Sequence, residues 1–257
     1  MRVVILPTAD DVARYCAQQI IQQVQQKPNA VLGLATGSTP IASYKKLIRA
    51  CDDKELSFAK ASSFNLDEYI GLAPDHPQSY RYFMNQELFH HIDIKLENTF
   101  IPNGSNTDFE KNCQSYEEQI LQKGGIDLQL LGIGENGHIG FNEPSSSLNS
   151  RTRVKTLSPQ TIANNAHFFK VGETQPQLAI TMGIGTIMET KRVILLATGS
   201  QKKQAVADLI EGPISAFSPA SMLQMHPKAM IIIDQSAAEL LTLKDYYLHV
   251  EEIQKAL

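Results

Sequence analysis

Short apolar runs alternate with longer amphipathic stretches along the chain, and this alternation constrains the fold more than any other feature. The apolar runs at residues 3–6, 30–36 and 193–197 have the length of buried strands, and residues 9–26 have the pattern of a helix. The same patterns predict strands at residues 62–66, 99–101, 126–133, 178–182 and 230–233, and helices at about 40–50, 78–90 and 108–122. Strands that alternate with helices indicate an α/β fold with a mostly parallel sheet covered on both faces.

Composition argues against several classes of protein. The 257 residues are 42% hydrophobic, which is enough for a large core without disulfide or metal staples. The net charge of −4 and the lack of a basic stripe argue against nucleic acid as a partner. No apolar run approaches the roughly 20 residues that a membrane helix needs, and the first run is too short for a signal peptide. Cys16, Cys51 and Cys113 are widely spaced, which is typical of reduced thiols in a cytoplasmic protein.

The residues after the second predicted strand are typical of a phosphate-binding loop. An apolar run ends in Thr36, Gly37, Ser38 and Thr39, and a helix begins near Pro40. The start of a helix offers free N–H groups and the positive end of the helix dipole. Three hydroxyl groups in the loop add further hydrogen bonds. We interpret this loop as a cradle for a phosphate monoester, and an ordinary helix cap is the alternative.

A second loop of the same kind follows the strand at residues 193–197 and ends in Lys202. A cation at the start of a helix is disfavoured by the dipole, so a bound anion would explain its presence. Neither loop matches the nucleotide-binding pattern G-x-x-x-x-G-K-[ST]. The pair of loops therefore predicts a site for a phosphorylated small molecule.

Residues 130–144 read L-L-G-I-G-E-N-G-H-I-G-F-N-E-P, which is a strand that runs into a glycine-rich loop. The formal G-x-G-x-x-G match is not a dinucleotide site, because no long helix opens after it and the expected acidic residue is missing. His138 and Glu143 stand five residues apart, and a carboxylate can orient an imidazole and raise its basicity. This spacing favours a catalytic pair. A structural histidine is the alternative, and a metal site would lack a third ligand.

Asp67 and Glu68 end another apolar stretch, at the edge of the sheet where a substrate would lie. We interpret them as candidate catalytic carboxylates, with a solvated acidic turn as the alternative. Residues 145–177 are polar and lack a clear strand, so this segment is predicted to be a lid, an oligomer contact or plain surface.

Taken together, the motifs resemble the glucosamine-6-phosphate deaminase (glucosamine-6-phosphate isomerase) family over essentially the whole chain. The resemblance is carried by L-G-L-A-T-G-S-T-P at residues 32–40, F-N-L-D-E-Y-I-G-L at 64–72, L-G-I-G-E-N-G-H-I-G-F-N-E-P at 131–144, S-R-T-R-V-K-T-L at 150–157, G-S-Q-K at 199–202 and L-Q-M-H-P-K-A at 223–229. It implies a hydrolase of amino-sugar catabolism that converts D-glucosamine 6-phosphate and water to D-fructose 6-phosphate and ammonia. It also implies one Rossmann-like domain over residues 1–257, with no metal or organic cofactor.

The resemblance assigns roles by position. Asp67 matches the family's proton-shuttling base, His138 the ring-opening residue and Glu143 its partner. Asn136 stands where some members have Asp, and since an amide cannot take up a proton it is expected only to orient His138 or the sugar. The phosphate is assigned to Thr36, Gly37, Ser38, Thr39 and Lys202. His167 stands where members commonly have Arg, which predicts weaker or more pH-dependent phosphate binding if it contacts the phosphate.

The segment at about 145–177 resembles the family's mobile lid with its regulatory site. In the enteric members, N-acetylglucosamine 6-phosphate binds between the subunits of a hexamer and activates the enzyme. Ser146, Arg153, Lys155 and Thr156 match residues used there, with a simple basic surface as the alternative. Other members are unregulated monomers, so activation and a homo-oligomer both stay open.

Two other functions compete with the deaminase. A 6-phosphogluconolactonase shares the fold and a similar glycine–histidine loop, but the F-N-E-P and D-E-Y-I-G-L segments argue against it. A non-catalytic sugar-phosphate sensor is disfavoured because Asp67, His138 and Glu143 are all present.

Overall fold

A computed structural model describes residues 1–105, 107–165, 169 and 175–256. In this part of the chain the strands are β1 (Arg2–Leu6), β2 (Val31–Leu34), β3 (Ser62–Asn65), β4 (Asp67–Tyr69), β5 (Thr99–Phe100), β6 (Leu128–Gly132), β7 (Arg153–Thr156), β8 (Leu178–Thr181), β9 (Val193–Ala197) and β10 (Ala229–Asp234). The α-helices are α1 (Ala9–Gln26), α2 (Ser38–Asp52), α3 (Tyr80–Glu87), α4 (Phe109–Gln122), α5 (Pro159–Asn165), α6 (Ile184–Met188), α7 (Lys203–Ile210) and α8 (Lys244–Ala256). Short 3-10 helices cover Phe89–His91, Leu96–Asn98, Ser200–Lys202 and Pro219–Met225.

The main sheet is parallel and has the order β1-β10-β9-β6-β2-β3-β5 within the described residues. Its central strands β2, β9 and β10 are buried at every position, as their continuous apolar sequences predict for a sheet covered on both faces. Helix α1 begins at a capping box in which the Thr8 side chain accepts from the Asp11 amide and the Asp11 carboxylate accepts from the Thr8 amide. The predicted single-domain α/β fold, with helices on both sides of a mostly parallel sheet, is confirmed.

The strand order creates a crevice between β2 and β6. From β2 the chain continues outward through β3 to β5, and then returns to the other side of β2 as β6. The loops that follow β2 and β6 therefore leave the sheet in opposite directions, which opens a gap at their carboxyl ends. Two of the three glycine-containing loops singled out in the sequence, those after β2 and β6, lie at this gap.

A second sheet is antiparallel, with the order β4-β8-β7 among the described residues, and it differs from the sequence prediction in three ways. The predicted strand at residues 178–182 exists, but it belongs to this sheet. Asp67 and Glu68 lie in strand β4 rather than in a loop. The prediction that residues 145–177 lack a strand is wrong, because this segment contains β7. Strand β7 is polar and only partly buried, so it has no apolar alternation to reveal it.

No helix in the described part of the chain is long and apolar enough to cross a membrane. The three cysteines carry free thiols. Burial raises the pKa of Cys16 to about 12 and that of Cys51 to about 11. Neither thiol forms a reactive thiolate near neutral pH.

Candidate active site

A cavity of about 330 Å³ occupies the crevice between β2 and β6. It is lined by residues 35–40, Leu66, Asp67, Tyr80, residues 132–135, His138, Gly140, Phe141, Thr161 and Lys202. The structure therefore brings the predicted phosphate loop, the predicted base Asp67, His138 and Lys202 to one cavity. Asn136 and Glu143 stand directly behind His138. His167 lies outside the described residues.

The loop after β2 presents the start of α2 to the cavity. Gly37 is the N-cap residue and has φ of +98°, a backbone conformation that suits glycine. Because Gly37 has no side chain, the first-turn amides of Ser38 and Thr39 are left for a ligand. Helix α2 begins at Ser38, so Pro40 is its third residue rather than its first. The missing N–H of Pro40 removes no hydrogen bond from the helix, because first-turn amides have no partner within the helix.

The second predicted loop contributes a cation rather than a second cradle. The Gly199 amide donates to both carboxylate oxygens of Asp234, at 3.1 and 3.0 Å, so its amide already has a protein anion as partner. Of residues 198–202, Lys202 is the one that lines the cavity. Burial lowers the pKa of Lys202, and the charge of Glu135 opposes this shift. A bound phosphate would favour the charged ammonium in the same way.

Asn136 connects His138 to Glu143. The Asn136 side-chain amide donates to Glu143 Oε2 at 2.8 Å, and its Oδ1 lies 2.7 Å from His138 Nδ1. Since Oδ1 can only accept, the hydrogen-bond network assigns the proton to Nδ1 and leaves the lone pair on Nε2. Glu143 Oε2 itself is 3.7 Å from Nδ1. The carboxylate therefore acts on the imidazole mainly through the amide.

The surroundings of His138 favour its neutral imidazole. Burial lowers the pKa of His138, the charge of Glu143 opposes this, and Lys202 lowers it further. The ring packs closely on Gly134, where a Cβ atom would lie 2.2 Å from His138 Cε1. A side chain at position 134 would displace the ring. The turn that carries His138 is closed by a bond of 2.9 Å from the Gly134 amide to the His138 carbonyl.

Asp67 is a buried carboxyl at the edge of the cavity, with 6% of its surface exposed. Burial and the neighbouring charge of Glu68 raise the pKa of Asp67 to about 8, and a hydrogen bond from the Phe141 amide opposes the shift. A carboxylate with a pKa near neutral pH is a stronger base than an ordinary aspartate. The same amide lies 3.1 Å from Thr181 Oγ1, so the loop after β6 is tied to the strand pair that carries Asp67.

Glu68, the other candidate carboxylate, faces away from the cavity. Its oxygens accept from the amides of Tyr69, Tyr80 and Arg81 at 2.8, 2.9 and 3.0 Å. Two of these amides belong to the first turn of α3, so Glu68 fixes this helix to β4. One consequence is the position of Tyr80, which lines the cavity and which the sequence analysis did not identify.

Helix α5 and the residue that precedes it contribute two more side chains that the sequence analysis missed. Thr161 Oγ1 donates to Glu143 Oε1, and Ser158 Oγ lies 3.2 Å from the same oxygen. Thr161 also lines the cavity. A polar segment without strand or glycine signals gave no indication that these hydroxyl groups would reach the Glu143 carboxylate.

The four predicted regulatory residues lie outside the cavity. Arg153, Lys155 and Thr156 belong to β7, where Arg153 and Lys155 share one face. Arg153 donates to Asn142 Oδ1 at 2.9 Å, which places its guanidinium against the loop after β6. The Ser146 amide donates to the Glu143 carbonyl at 3.0 Å, and the buried Ser146 hydroxyl has no hydrogen-bond partner among the described residues.

Within the described ranges no group of three or more His, Cys, Asp or Glu side chains could hold a metal ion.

Comparison with known proteins places these residues in a family. Residues 7–232 match the family model described as glucosamine-6-phosphate isomerases/6-phosphogluconolactonase. The glucosamine-6-phosphate deaminase of Cellvibrio japonicus (strain Ueda107) is 58% identical over 258 residues, covering 100% of this chain and 98% of that protein. That of Shewanella halifaxensis (strain HAW-EB4) is 57% identical over 251 residues, covering 98% of this chain and 95% of that protein.

Solved structures agree with the sequence relatives. A monomeric glucosamine-6-phosphate deaminase superposes with a TM-score of 0.91 at 46% identity, covering 93% of this chain and 100% of that one. A 6-phosphogluconolactonase from Trypanosoma cruzi superposes with a TM-score of 0.74 at 20% identity, covering 94% of this chain and 97% of that one. The second likeness shows a shared fold.

Proposed function

This chain belongs to the glucosamine-6-phosphate isomerase/6-phosphogluconolactonase family, and on that premise we propose that it is a glucosamine-6-phosphate deaminase. It converts D-glucosamine 6-phosphate and water to D-fructose 6-phosphate and ammonia. The observation that carries the proposal is that one cavity holds a helix N-terminus, a buried carboxyl of raised pKa and an imidazole of lowered pKa. The relatives named deaminases are more than 50% identical over nearly the whole chain. The lactonases are near 20% identical and therefore support the fold only.

The test is ammonia release from glucosamine 6-phosphate, with fructose 6-phosphate assayed in the same sample. Equal amounts of both products are expected. If no ammonia forms, hydrolysis of 6-phosphogluconolactone in the same buffer would identify the lactonase. Binding of sugar phosphates without either reaction would identify the sensor.

In the first chemical step, His138 opens the pyranose ring. Its neutral Nε2 accepts the proton of the O1 hydroxyl, and the ring oxygen receives a proton as the C1–O5 bond breaks. Asn136 keeps the proton of the imidazole on Nδ1, so Nε2 stays available for the sugar. The developing imidazolium is stabilised by the Glu143 carboxylate beyond the amide.

In the second step, Asp67 moves a proton between neighbouring carbons. The ionised carboxylate takes the proton from C2 of the open-chain aldehyde and returns it to C1, while the aldehyde oxygen O1 gains a proton and the amino group loses one, which leaves an imine at C2. Water adds to the imine carbon, the C–N bond breaks and ammonia leaves with one additional proton, so the product is the C2 ketone. One carboxylate placed over the C1–C2 bond suffices for both proton transfers.

The phosphate group positions the sugar without taking part in the chemistry. We assign it to Thr36, Gly37, Ser38, Thr39 and Lys202, because these residues share the cavity with the two catalytic groups. Binding energy from this remote group can hold C1 and C2 in reach of Asp67.

Replacement of Lys202 by alanine is expected to raise KM for glucosamine 6-phosphate about tenfold or more, with a smaller effect on kcat. The loss of one cation removes binding energy that ground state and transition state share. Steady-state kinetics of Lys202→Ala beside Lys203→Ala, whose side chain pairs with Glu239 outside the cavity, would measure the effect. An unchanged KM in Lys202→Ala would mean that this loop serves only to start a helix.

The raised pKa of Asp67 predicts the pH dependence of the free enzyme. The base must be ionised, so kcat/KM should rise about tenfold per pH unit at low pH and level off above a pKa of about 8. His138 must be neutral, which requires a pH above its own lowered pKa. Because that pKa lies below the pKa of Asp67, the ionisation of Asp67 sets the pH at which the profile levels off. Measurement of kcat/KM from pH 5.5 to 9.5 would test this, and a flat profile between pH 6 and 9 would contradict the assignment of Asp67.

We also propose that N-acetylglucosamine 6-phosphate activates the enzyme through β7. The basic face of Arg153 and Lys155 suits an anion, and Arg153 contacts the loop that carries Glu143 through Asn142. The ammonia-release assay with and without this compound tests activation.

The solved relative is a monomeric deaminase, so sedimentation of this chain distinguishes a monomer from the homo-oligomer that regulated family members form.

We propose the cytoplasm as the location of the enzyme, because a phosphorylated sugar is charged and stays in the compartment where it is made. Cell fractionation followed by the ammonia assay would test this location.

A further inference from the structure

The Glu143 carboxylate is held from two sides, by the loop that carries it and by α5 with its capping residue. Its surface is 6% exposed, and Oε2 accepts from the Asn136 amide at 2.8 Å. On the other side, Oε1 accepts from Thr161 and has Ser158 Oγ at 3.2 Å. The two oxygens therefore face different elements of the fold, and the carboxylate cannot rotate without breaking bonds on both sides.

Ser158 has two functions at once. Its Oγ accepts from the Thr161 amide at 3.1 Å, which is the bond of a helix cap. The same oxygen lies 3.0 Å from Thr161 Oγ1, so the Ser158 hydroxyl can donate either to Thr161 or to Glu143. The residue that caps α5 thus also orders the hydroxyl that binds Glu143.

Helix α5 is itself anchored beside the active site. Ile162 packs against an apolar cluster that includes Tyr69 and Phe141. Tyr69 belongs to the strand of Asp67, and Phe141 donates its amide to Asp67. The position of α5, and with it the orientation of Glu143, is therefore set by the elements that also carry the base.

We propose that Ser158 and Thr161 are positioning residues of the deaminase, which hold the Glu143 carboxylate in the orientation that lets Asn136 orient His138 for ring opening. This inference rests on the proposed function. The Ser158–Thr161 hydroxyl pair does not need to touch the reacting carbons. Its effect passes through Glu143 and Asn136 to the imidazole.

Loss of the Thr161 hydroxyl leaves Oε1 with the Ser158 hydroxyl as its remaining partner in α5 and its cap, and loosens the carboxylate so that it can turn toward His138 Nδ1, which lies 3.7 Å from Oε2. An anion that moves closer favours the imidazolium, so the pKa of His138 should rise and less of the neutral base should be present. Valine has nearly the volume of threonine and lacks the hydroxyl. Serine keeps the hydroxyl and lacks the methyl group.

The test compares Thr161→Val with Thr161→Ser and the wild type. In Thr161→Val we expect kcat for glucosamine 6-phosphate to fall roughly tenfold or more, with a much smaller change in KM. In Thr161→Ser most of this activity should remain. The control is Thr186→Val, because the Thr186 hydroxyl also donates to a partly buried glutamate, Glu117, at 2.6 Å but lies outside the cavity.

A second readout does not depend on turnover. The His138 imidazole can be titrated by NMR, with its signals assigned by comparison with His138→Gln. Thr161→Val should raise the pKa of His138, whereas Thr161→Ser and Thr186→Val should leave it unchanged. A wild type that releases no ammonia would refute the proposed function, and the titration would still test the positioning role.

Two results would overturn the inference. One is a Thr161→Val variant with the kcat and the His138 titration of the wild type. The other is a variant that loses activity and thermal stability together while its His138 titration stays unchanged, because a purely structural role for Thr161 would produce that pattern.

Discussion

Replacement of Asp67 by asparagine is expected to lower kcat by about 10²–10⁴-fold or more, because the amide cannot carry a proton between C2 and C1. The substitution keeps the size of the side chain, so binding of fructose 6-phosphate should survive. Ammonia release and product binding by calorimetry would be measured on the same preparation. Substantial residual turnover would remove Asp67 from the role of base.

An exchange assay isolates the step that we assign to Asp67. With fructose 6-phosphate and ammonia in D₂O, reversal of the proton transfer should place deuterium at C1 without closure of the glucosamine ring. Asp67→Asn should abolish this exchange together with the overall reaction. Both assays are needed, because a defect confined to ring opening would slow the overall reaction and leave the deuterium exchange unchanged.

The same variant should be more stable than the wild type at alkaline pH. The pKa of Asp67 is 3.8 when the carboxyl is solvated and about 8 in the fold, because burial and then Glu68 raise it. Between these values the folded state binds more protons than the unfolded state, so the free energy of unfolding falls as the pH rises. Asparagine avoids this cost. We expect a gain of roughly 2 kcal/mol, or about 5 °C in Tm, at pH 9 and little gain near pH 4.

Asp127→Asn is the matched control for this stability effect, with the opposite sign. Burial acts to raise the pKa of Asp127, but hydrogen bonds from Lys191 and Lys27 outweigh it and hold the pKa below its ordinary value. This carboxylate therefore stabilises the fold at neutral pH, and its neutralisation should lower Tm. If both variants shifted Tm in the same direction, the raised pKa of Asp67 would be contradicted.

The second large effect is expected for His138→Gln. Glutamine fills similar space but cannot act as an acid or a base, so kcat on the cyclic substrate should fall by about 10²–10⁴-fold. The exchange of deuterium into C1 of fructose 6-phosphate with ammonia should be affected far less, because it bypasses opening of the glucosamine ring. Equal losses in the two assays would argue against a ring-opening role for His138.

Glu143 and Asn136 should share part of this defect, since they act through the imidazole. The direct distance of 3.7 Å between Glu143 Oε2 and His138 Nδ1, against 2.7 Å from Asn136 Oδ1, gives the amide the closer contact. From the sequence, Asn136 is expected only to orient His138 or the sugar. The geometry supports the first of these two roles, because both of its polar atoms are occupied by protein partners.

Much of the fold was predictable because apolar runs of fixed length report directly on burial. Helix α1 and strand β9 begin and end at the predicted residues, and β2 and β3 differ by one or two residues at their ends. Strands β4 and β7 were missed for one reason. Three or four residues with charges carry no periodic signal, and only their antiparallel pairing with β8 makes them strands.

The sequence by itself determined the parallel sheet, the two glycine-containing loops at its carboxyl edge, and the catalytic candidates Asp67, His138 and Glu143. These follow from local chemistry, since residue type and spacing are visible in one dimension. The tertiary structure decided which groups meet. In the folded chain Lys202 lines the cavity, whereas the Gly199 amide of the same loop donates to Asp234. Glu68 accepts from the first turn of α3 and faces away from the cavity. The hydroxyl groups of Ser158 and Thr161 lie against Glu143. Contacts between residues distant along the chain depend on how the layers pack, and short polar segments carry no pattern from which that packing could be predicted.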